Sequence, residues 1–316
     1  GAVNMDGKWK ETPEGNGLDV TLPYLCRLPS GRAITIVFYH GELAHDIAFG
    51  GLLENGDRFR DALLGAVKIR AADRLLVVAT DGETYGHHHK FGEMALARLF
   101  ERFDQDSEIS LPDIGTFLEN HPAKYECRIR ENASWSCVHG IERWRSDCGC
   151  STGGKPGWNQ SWRAPLREAF DKLAGKIDEA FYETVSPYFD PWDLRNISIE
   201  HYRLAKADRK KEYEDGMEFL SKYLGGIGEK EGASMLAMLE AERMRMFMFT
   251  SCGWFFNDIS GVETKQVISF AVRAAELAGN VIEKDFITDL LTDLRKARGN
   301  DKKYTNARIL AERDII

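Results

Sequence analysis

A chain of 316 residues with 43% hydrophobic and 29% charged residues has room for one large domain or two ordinary ones and the composition of a globular protein. Its formal net charge of −8 excludes a typical nucleic-acid binder, which needs a basic face to neutralise phosphates. No apolar run reaches bilayer length, because the longest, Met244 to Phe256, is broken by Arg245, Ser251 and Gly253, and no secretory pattern opens the chain.

Residues 1–32 read as mostly irregular, punctuated by Pro13, Gly15, Gly17, Pro23, Pro29 and Gly31. Ala33 to Tyr39 reads as a buried strand ending at His40-Gly41-Glu42. A helix follows over Asp57 to Ala72, then a second buried strand, Leu75-Leu76-Val77-Val78-Ala79. Phe91 to Phe103 is predicted helical, with Met94, Leu96, Ala97, Leu99 and Phe100 on its buried face. This alternation is the signature of a parallel sheet with crossovers. A short helix over Leu111 to Glu119 and a strand over Tyr125 to Arg130 complete the first part.

Residues 131–162 change character. They hold Trp135, Trp144, Trp158 and Trp162, four of the seven tryptophans, with Cys137, His139, Cys148 and Cys150. A segment so rich in aromatic residues reads as an ordered functional loop rather than a disordered linker. From Arg163 the pattern is helical, with helices expected at 163–188, 191–205, 209–223, 229–250, 262–280 and 282–298. Asp190-Pro191 supplies a start signal, an N-cap acceptor before proline at the first position. The Met235, Met238, Leu239, Met246 and Phe249 stripe reads as core, and the charged tail 296–316 as a surface element.

Three constellations could carry chemistry. Asp81-Gly82-Glu83-Thr84-Tyr85-Gly86-His87-His88-His89 sets two carboxylates and three imidazoles where a strand ends, the usual place for chemistry in α/β proteins. A carboxyl group in a partly apolar pocket can donate a proton at neutral pH. The imidazoles suit contact with substrate, or an ion held with Asp81. The tryptophans of 131–162, beside Arg143, Arg145, His139 and Gln160, suit a sugar cleft, since a sugar ring offers a C–H face to an aromatic plane. The set Cys137-x-His139 and Cys148-x-Cys150 departs from the spacings common in structural zinc sites, so buried free thiols that tie down the loop are the expectation and no metal is assigned. Six cysteines in all are too sparse for a disulfide framework, which points to a reducing cytoplasm.

The run Asp81 to His87 resembles the fourth signature region of glycoside hydrolase family 57, an Asp-x-Glu-x-Phe/Tyr-Gly pattern. Thr250-Ser251-Cys252-Gly253-Trp254-Phe255 is similar to that family's fifth region, and the runs Ser134 to Gly140 and Trp158 to Arg163 resemble a long bacterial branch of it. The resemblance implies an α/β fold: the C-terminal portion of a (β/α)7 barrel followed by a mainly α-helical domain, here 1–130, the loop 131–162, and 163–316. It implies retaining chemistry on an α-glucan or maltooligosaccharide, by hydrolysis or transfer, without cofactor. Asp81 would be the general acid/base. Glu83 and His87 match positions that support it or touch sugar, and Trp254 the aromatic lining the cleft, while Tyr85, His88, Trp135, His139 and Trp144 are candidate substrate contacts from the residues themselves. The family's nucleophilic glutamate and its early His-containing region have no match here. Because the chain also opens on Gly1, the expectation is a fragment, inactive alone, with Glu42 a carboxylate that no motif marks. Two other readings are a metal-dependent polysaccharide deacetylase, with an ion on Asp81 and His87 or His89, and a non-catalytic glucan-binding protein.

Overall fold

The computed structural model describes residues 1–5, 7–12, 17–67, 71–107, 109–134, 136–152, 154–202 and 209–316. The chain forms two compact units, Gly1–Glu131 and Asn132–Ile316. No helix among the described residues is long and apolar enough to cross a membrane.

The first unit holds a five-stranded sheet in the order β2-β1-β5-β3-β4. Its strands are β1 (Ala2–Met5), β2 (Lys8–Glu11), β3 (Pro23–Arg27), β4 (Ala33–Val37) and β5 (Tyr125–Arg128). Three of them lie in the segment expected to be irregular. Its glycines and prolines punctuate short strands rather than replace them. Pro23 sits at a strand's first residue, where a missing N–H is tolerated. Gly31, at φ +80°, closes the β3–β4 hairpin, and Leu28 N–H donates to the Arg32 carbonyl at 2.9 Å.

The sheet is mixed, which corrects the expectation of a parallel one. Of its ladders only β3–β5 is parallel, with Cys26 opposite Cys127, while β4 pairs β3 antiparallel. β4 is exposed to half-buried, not buried. Leu75 to Ala79 forms no ladder. It makes one parallel bridge, Val77 to Tyr39, and His40 N–H donates to the Val77 carbonyl at 2.8 Å. An apolar run bridged on one side alone stays half-buried. Upstream of it the Arg74 guanidinium pairs with Asp19. Tyr24, fully buried in the small sheet core, donates its hydroxyl to the Asp19 carbonyl at 3.1 Å. Burial, reinforced by the Asp19 charge, pushes that phenol up to about 12.

A second small core joins α1 (Gly41–Ala48), α2 (Gly56–Ala66) and α3 (Gly92–Asp104) through Leu43, Ile47, Phe59, Leu63, Ala95 and Leu99. The buried face of α3 is Ala95, Leu99 and Phe103. Met94, Ala97 and Phe100 face outward, contrary to expectation. The chosen positions followed an i, i+3 row, whereas the helix packs on an i, i+4 row. Next comes α4 (Ile114–Asn120), capped by Asp113, whose carboxylate accepts from Thr116 N–H at 3.0 Å.

The second unit is helical: α5 (Arg163–Val185), α6 (Pro191–Ile197), α7 (Ile199–Tyr202), α8 (Arg209–Leu224), α9 (Glu229–Phe247), α10 (Cys252–Phe255), α11 (Val262–Ile282), α12 (Phe286–Leu294) and α13 (Ala307–Asp314). Leu166, Phe170, Leu173, Ile177 and Phe181 make a buried stripe along α5. Each such side chain removed from water stabilises by roughly 1.5–3 kcal/mol before entropy is charged. Ala271, Ala274, Ala275 and Ala278 on α11 present a small-residue face to the same core. Met235, Met238 and Leu239 of α9 are buried as expected, while Met246 is exposed. The tail is not a surface element. Ala297, Tyr304, Ala307, Leu310 and Ala311 complete the core, because the charges of α13 lie on its opposite face.

Candidate functional site

The acidic loop begins where the half-buried strip ends. Asp81 has an extended backbone and precedes a 3-10 turn, Gly82–Thr84, whose first N–H bond runs from Thr84 to the Asp81 carbonyl at 3.1 Å. Glu83 accepts on its carbonyl from His87 N–H at 3.2 Å and His88 N–H at 2.9 Å. Gly86, at φ +112°, lets the chain reverse. A side chain there would be strained and would stand 3.2 Å from the Glu93 carboxylate. Gly86 N–H then donates to the His89 carbonyl at 3.0 Å.

This backbone scaffold holds its side chains in different settings. Asp81, Glu83, His87 and His88 are exposed. Among the described residues the Asp81 carboxylate has no hydrogen-bond or ion-pair partner. The rings of His87 and His88 lie 5.2 Å apart. Tyr85 is half-buried, and its hydroxyl accepts from Thr80 Oγ1 at 3.1 Å. His89 faces inward, donating from Nε2 to the Ala48 carbonyl at 2.8 Å. Asp81, His87 and His89 do not gather into an ion-holding group among the described residues. Two surface hollows, one near Lys176 and Asp289 and one near Asp57 and Arg102, do not include Asp81.

In the second unit two of the tryptophans, Trp162 and Trp254, lie in the helical core. Trp162 is fully buried at the start of α5, its indole N–H on the Asn257 carbonyl at 3.3 Å. Trp254, expected at the cleft, is 1% exposed, edge-on to Phe170 at 5.5 Å and stacked on Phe249 at 6.3 Å. It is a core residue that cannot reach substrate in this conformation. Gly253 beside it is obligatory by proximity, since a Cβ there would lie 2.3 Å from a Val267 methyl. Trp144 is half-buried against Phe255, with ring centroids 6.4 Å apart. Trp135 lies outside the described residues.

His139 is drawn into a different constellation. Its Nδ1 lies 3.7 Å from Cys137 Sγ and 3.5 Å from Cys150 Sγ, while Cys137 Sγ lies 3.9 Å from Cys148 Sγ and 3.8 Å from Cys150 Sγ. All four atoms fall within 4.8 Å of one another. Burial works against ionising Cys148. The backbone N–H of Cys150, the two neighbouring thiols and the Arg163 guanidinium outweigh it and hold that thiol below its ordinary range. Cys150 is shifted up, first by burial and then by the other two thiols.

Residues 3–130 match the model of glycosyl hydrolase family 57. That first part of the chain belongs to glycoside hydrolase family 57. Residues 158–315, half of the chain, match a second family, the domain of unknown function DUF3536, and the chain belongs to that family too. No curated protein and no solved structure matches the chain.

The family 57 match supports a glycoside hydrolase and implies a carbohydrate substrate. The family 57 match contains the whole Asp81 loop, and the DUF3536 match contains Trp254. Sequence reasoning set Arg143 beside a sugar cleft and gave Arg163 and Glu242 no role. Arg143 and Arg163 are both buried and both donate to the Phe255 carbonyl, at 3.3 and 3.1 Å. Glu242, fully buried on α9, has no hydrogen-bond partner for either oxygen. Glu242 could have been suspected only as a charge interrupting the apolar stripe of α9.

Proposed function

We propose that this family 57 chain contributes the acid/base side of a retaining α-glucan-active site, with Asp81 as the proton donor to the departing glycosidic oxygen. The observation that carries this reading is the Asp81 carboxylate itself. It stands exposed and unpartnered on a loop held by backbone hydrogen bonds within the family 57 match, directly after the strip bridged in parallel to Tyr39, just past β4. A group that gives and takes a proton in alternate half-reactions is best left without a permanent ion-pair partner. His87 and His88, exposed beside it, suit contacts to sugar hydroxyls, and Glu83 shares the same turn. Tyr85, committed to Thr80, supports the loop.

Retention needs a second carboxyl group about 5–5.5 Å from the first, as nucleophile. Glu42 and Glu83 are exposed in the same unit, but neither carries the family's nucleophile motif. We infer that residues 1–316 alone turn over α-glucan very slowly or not at all. The deacetylase alternative loses ground because Asp81 and the histidines do not converge on one point.

The test uses whichever form of the protein turns over α-glucan. Asp81→Asn there should lower kcat on a natural maltooligosaccharide by about 10²–10⁴. The first step on a glycosyl fluoride, whose leaving group needs no proton, should be largely spared. Equal loss on both substrates would remove Asp81 from the proton-donor role. Maltoheptaose binding without product from any form would instead favour a glucan-binding protein.

A further inference from the structure

We propose that Cys137, His139, Cys148 and Cys150 bind a single zinc ion, which fixes the loop 137–150 onto the start of α5. A tetrahedral zinc with bonds of about 2.3 Å to sulfur and about 2.0 Å to nitrogen sets its ligands about 3.8 Å apart for S···S and about 3.5 Å apart for S···N. The structure shows S···S separations of 3.9 and 3.8 Å and S···N separations of 3.7 and 3.5 Å, with the other pairs no further than 4.8 Å. The thiols are free, far beyond the roughly 2.05 Å of a disulfide. Four donors around one point suit a mononuclear site. An iron–sulfur cluster with two irons would need two separated ligand pairs.

The chain's charges point the same way, independently of the spacing. Arg163 is 0% and Arg143 5% exposed, and among the described residues no carboxylate reaches ion-pair distance of either. They donate to the carbonyls of Phe255, Phe256 and Ser136, and Arg163 Nη1 lies 3.9 Å from Cys148 Sγ. Two buried cations without an ion-pair partner are costly, and only the more distant Asp147 carboxylate acts on Arg163. When a divalent zinc replaces the three thiol protons, which pass to solvent, three thiolates and a neutral imidazole leave the centre with one net negative charge beside Arg163. The metal then gives the guanidinium pair a counter-charge, and through the shared Phe255 carbonyl it ties the loop to α10. The irregular spacing is no obstacle. Gly140 at φ +70° and Gly149 at φ +78° supply the turns that bring Cys-x-His and Cys-x-Cys together.

The full chain, purified without an affinity tag and passed through gel filtration, should retain one equivalent of zinc by elemental analysis. Cobalt(II) titrated into the metal-stripped chain should give thiolate-to-cobalt charge-transfer bands and the strong visible bands of a tetrahedral site, saturating at one equivalent. The double substitution Cys148→Ser, Cys150→Ser should lose both. Should that variant not fold, the cobalt spectrum of the unaltered chain decides alone. Cobalt bands without sulfur character, or zinc retained in a folded double variant, would assign the metal to exposed imidazoles such as His87 and His88 and overturn the proposal. A chain that retains iron instead, or takes up no metal, overturns it equally.

Discussion

Glu242 is a carboxyl group taken wholly out of water. It is fully buried on α9, near Asp178 of α5, whose carboxylate accepts from Arg245 Nη2 at 2.7 Å. Arg195 comes only to 3.9 Å of Glu242. Burial first, and then the neighbouring Asp178 carboxylate, push Glu242 from the ordinary 4.5 to about 7. Between those values the folded chain keeps a proton that the unfolded chain has released. The contribution of this group to stability is therefore full below pH 4.5, declines through the window to about 7 and is lost above it. Glu242→Gln removes the titration. It should raise stability at pH 8 by roughly 1–3 kcal/mol and leave it nearly unchanged at pH 4.5. Urea unfolding at the two pH values measures the difference, and an equal effect at both would show that Glu242 ionises freely in the folded protein.

At the scale of elements, caps and packing decide what the sequence makes legible. The start of α6 was visible. Asp190 accepts from Asp193 N–H at 2.9 Å, as its place before Pro191 suggested. α13 was not visible as a core element, because its buried residues, Ala307, Leu310 and Ala311, are few and small among charges. Its cap is Asn306, which accepts from Ile309 N–H at 3.1 Å, and the backbone of Asn300 donates to buried Asp258 at 2.5 Å just before it. Asn306→Ala should cost about 1 kcal/mol, read as a lowered thermal midpoint. No change would mean that packing alone holds α13. The sheet was harder to read. β1 and β2 are four residues each, too short for a period-2 pattern to show, and β5 pairs with β1 and β3 from far along the sequence, as Cys127 does with Val3 and Cys26. In the candidate site the Asp81 motif was legible because chemistry lies in the residue types themselves. The tryptophans were not, because residue type alone does not say whether an indole faces solvent or a core such as that around Phe170. The thiol cluster was half legible: its members were named, but left–handed glycines rather than a familiar spacing bring them together.

On the scale of the molecule, the two units differ in how they are held. The helical unit has one continuous core running from Trp162 through Phe170, Met238 and Ala275 to Leu310. The first unit divides its buried residues between two small cores and leaves Ile34, Phe49, Phe91, Met94, Phe100 and Leu111 exposed. A polypeptide of residues 132–316 should therefore fold alone, with a single cooperative thermal transition followed by circular dichroism at 222 nm, roughly the wavelength of the helical signal. Residues 1–131 alone should melt broadly and at a lower temperature. A broad, non-cooperative melt of 132–316 would show that its core is incomplete without the rest of the chain.

Of the six sulfhydryls, five lie buried or half-covered, and Cys252 opens to solvent at the first position of α10. That gives the molecule a natural attachment point for a maleimide fluorophore on the short helix that contains Trp254. A dye placed there would sense rearrangement of this corner by emission, without any engineered thiol, and its labelling ratio would count how many of the others had come loose.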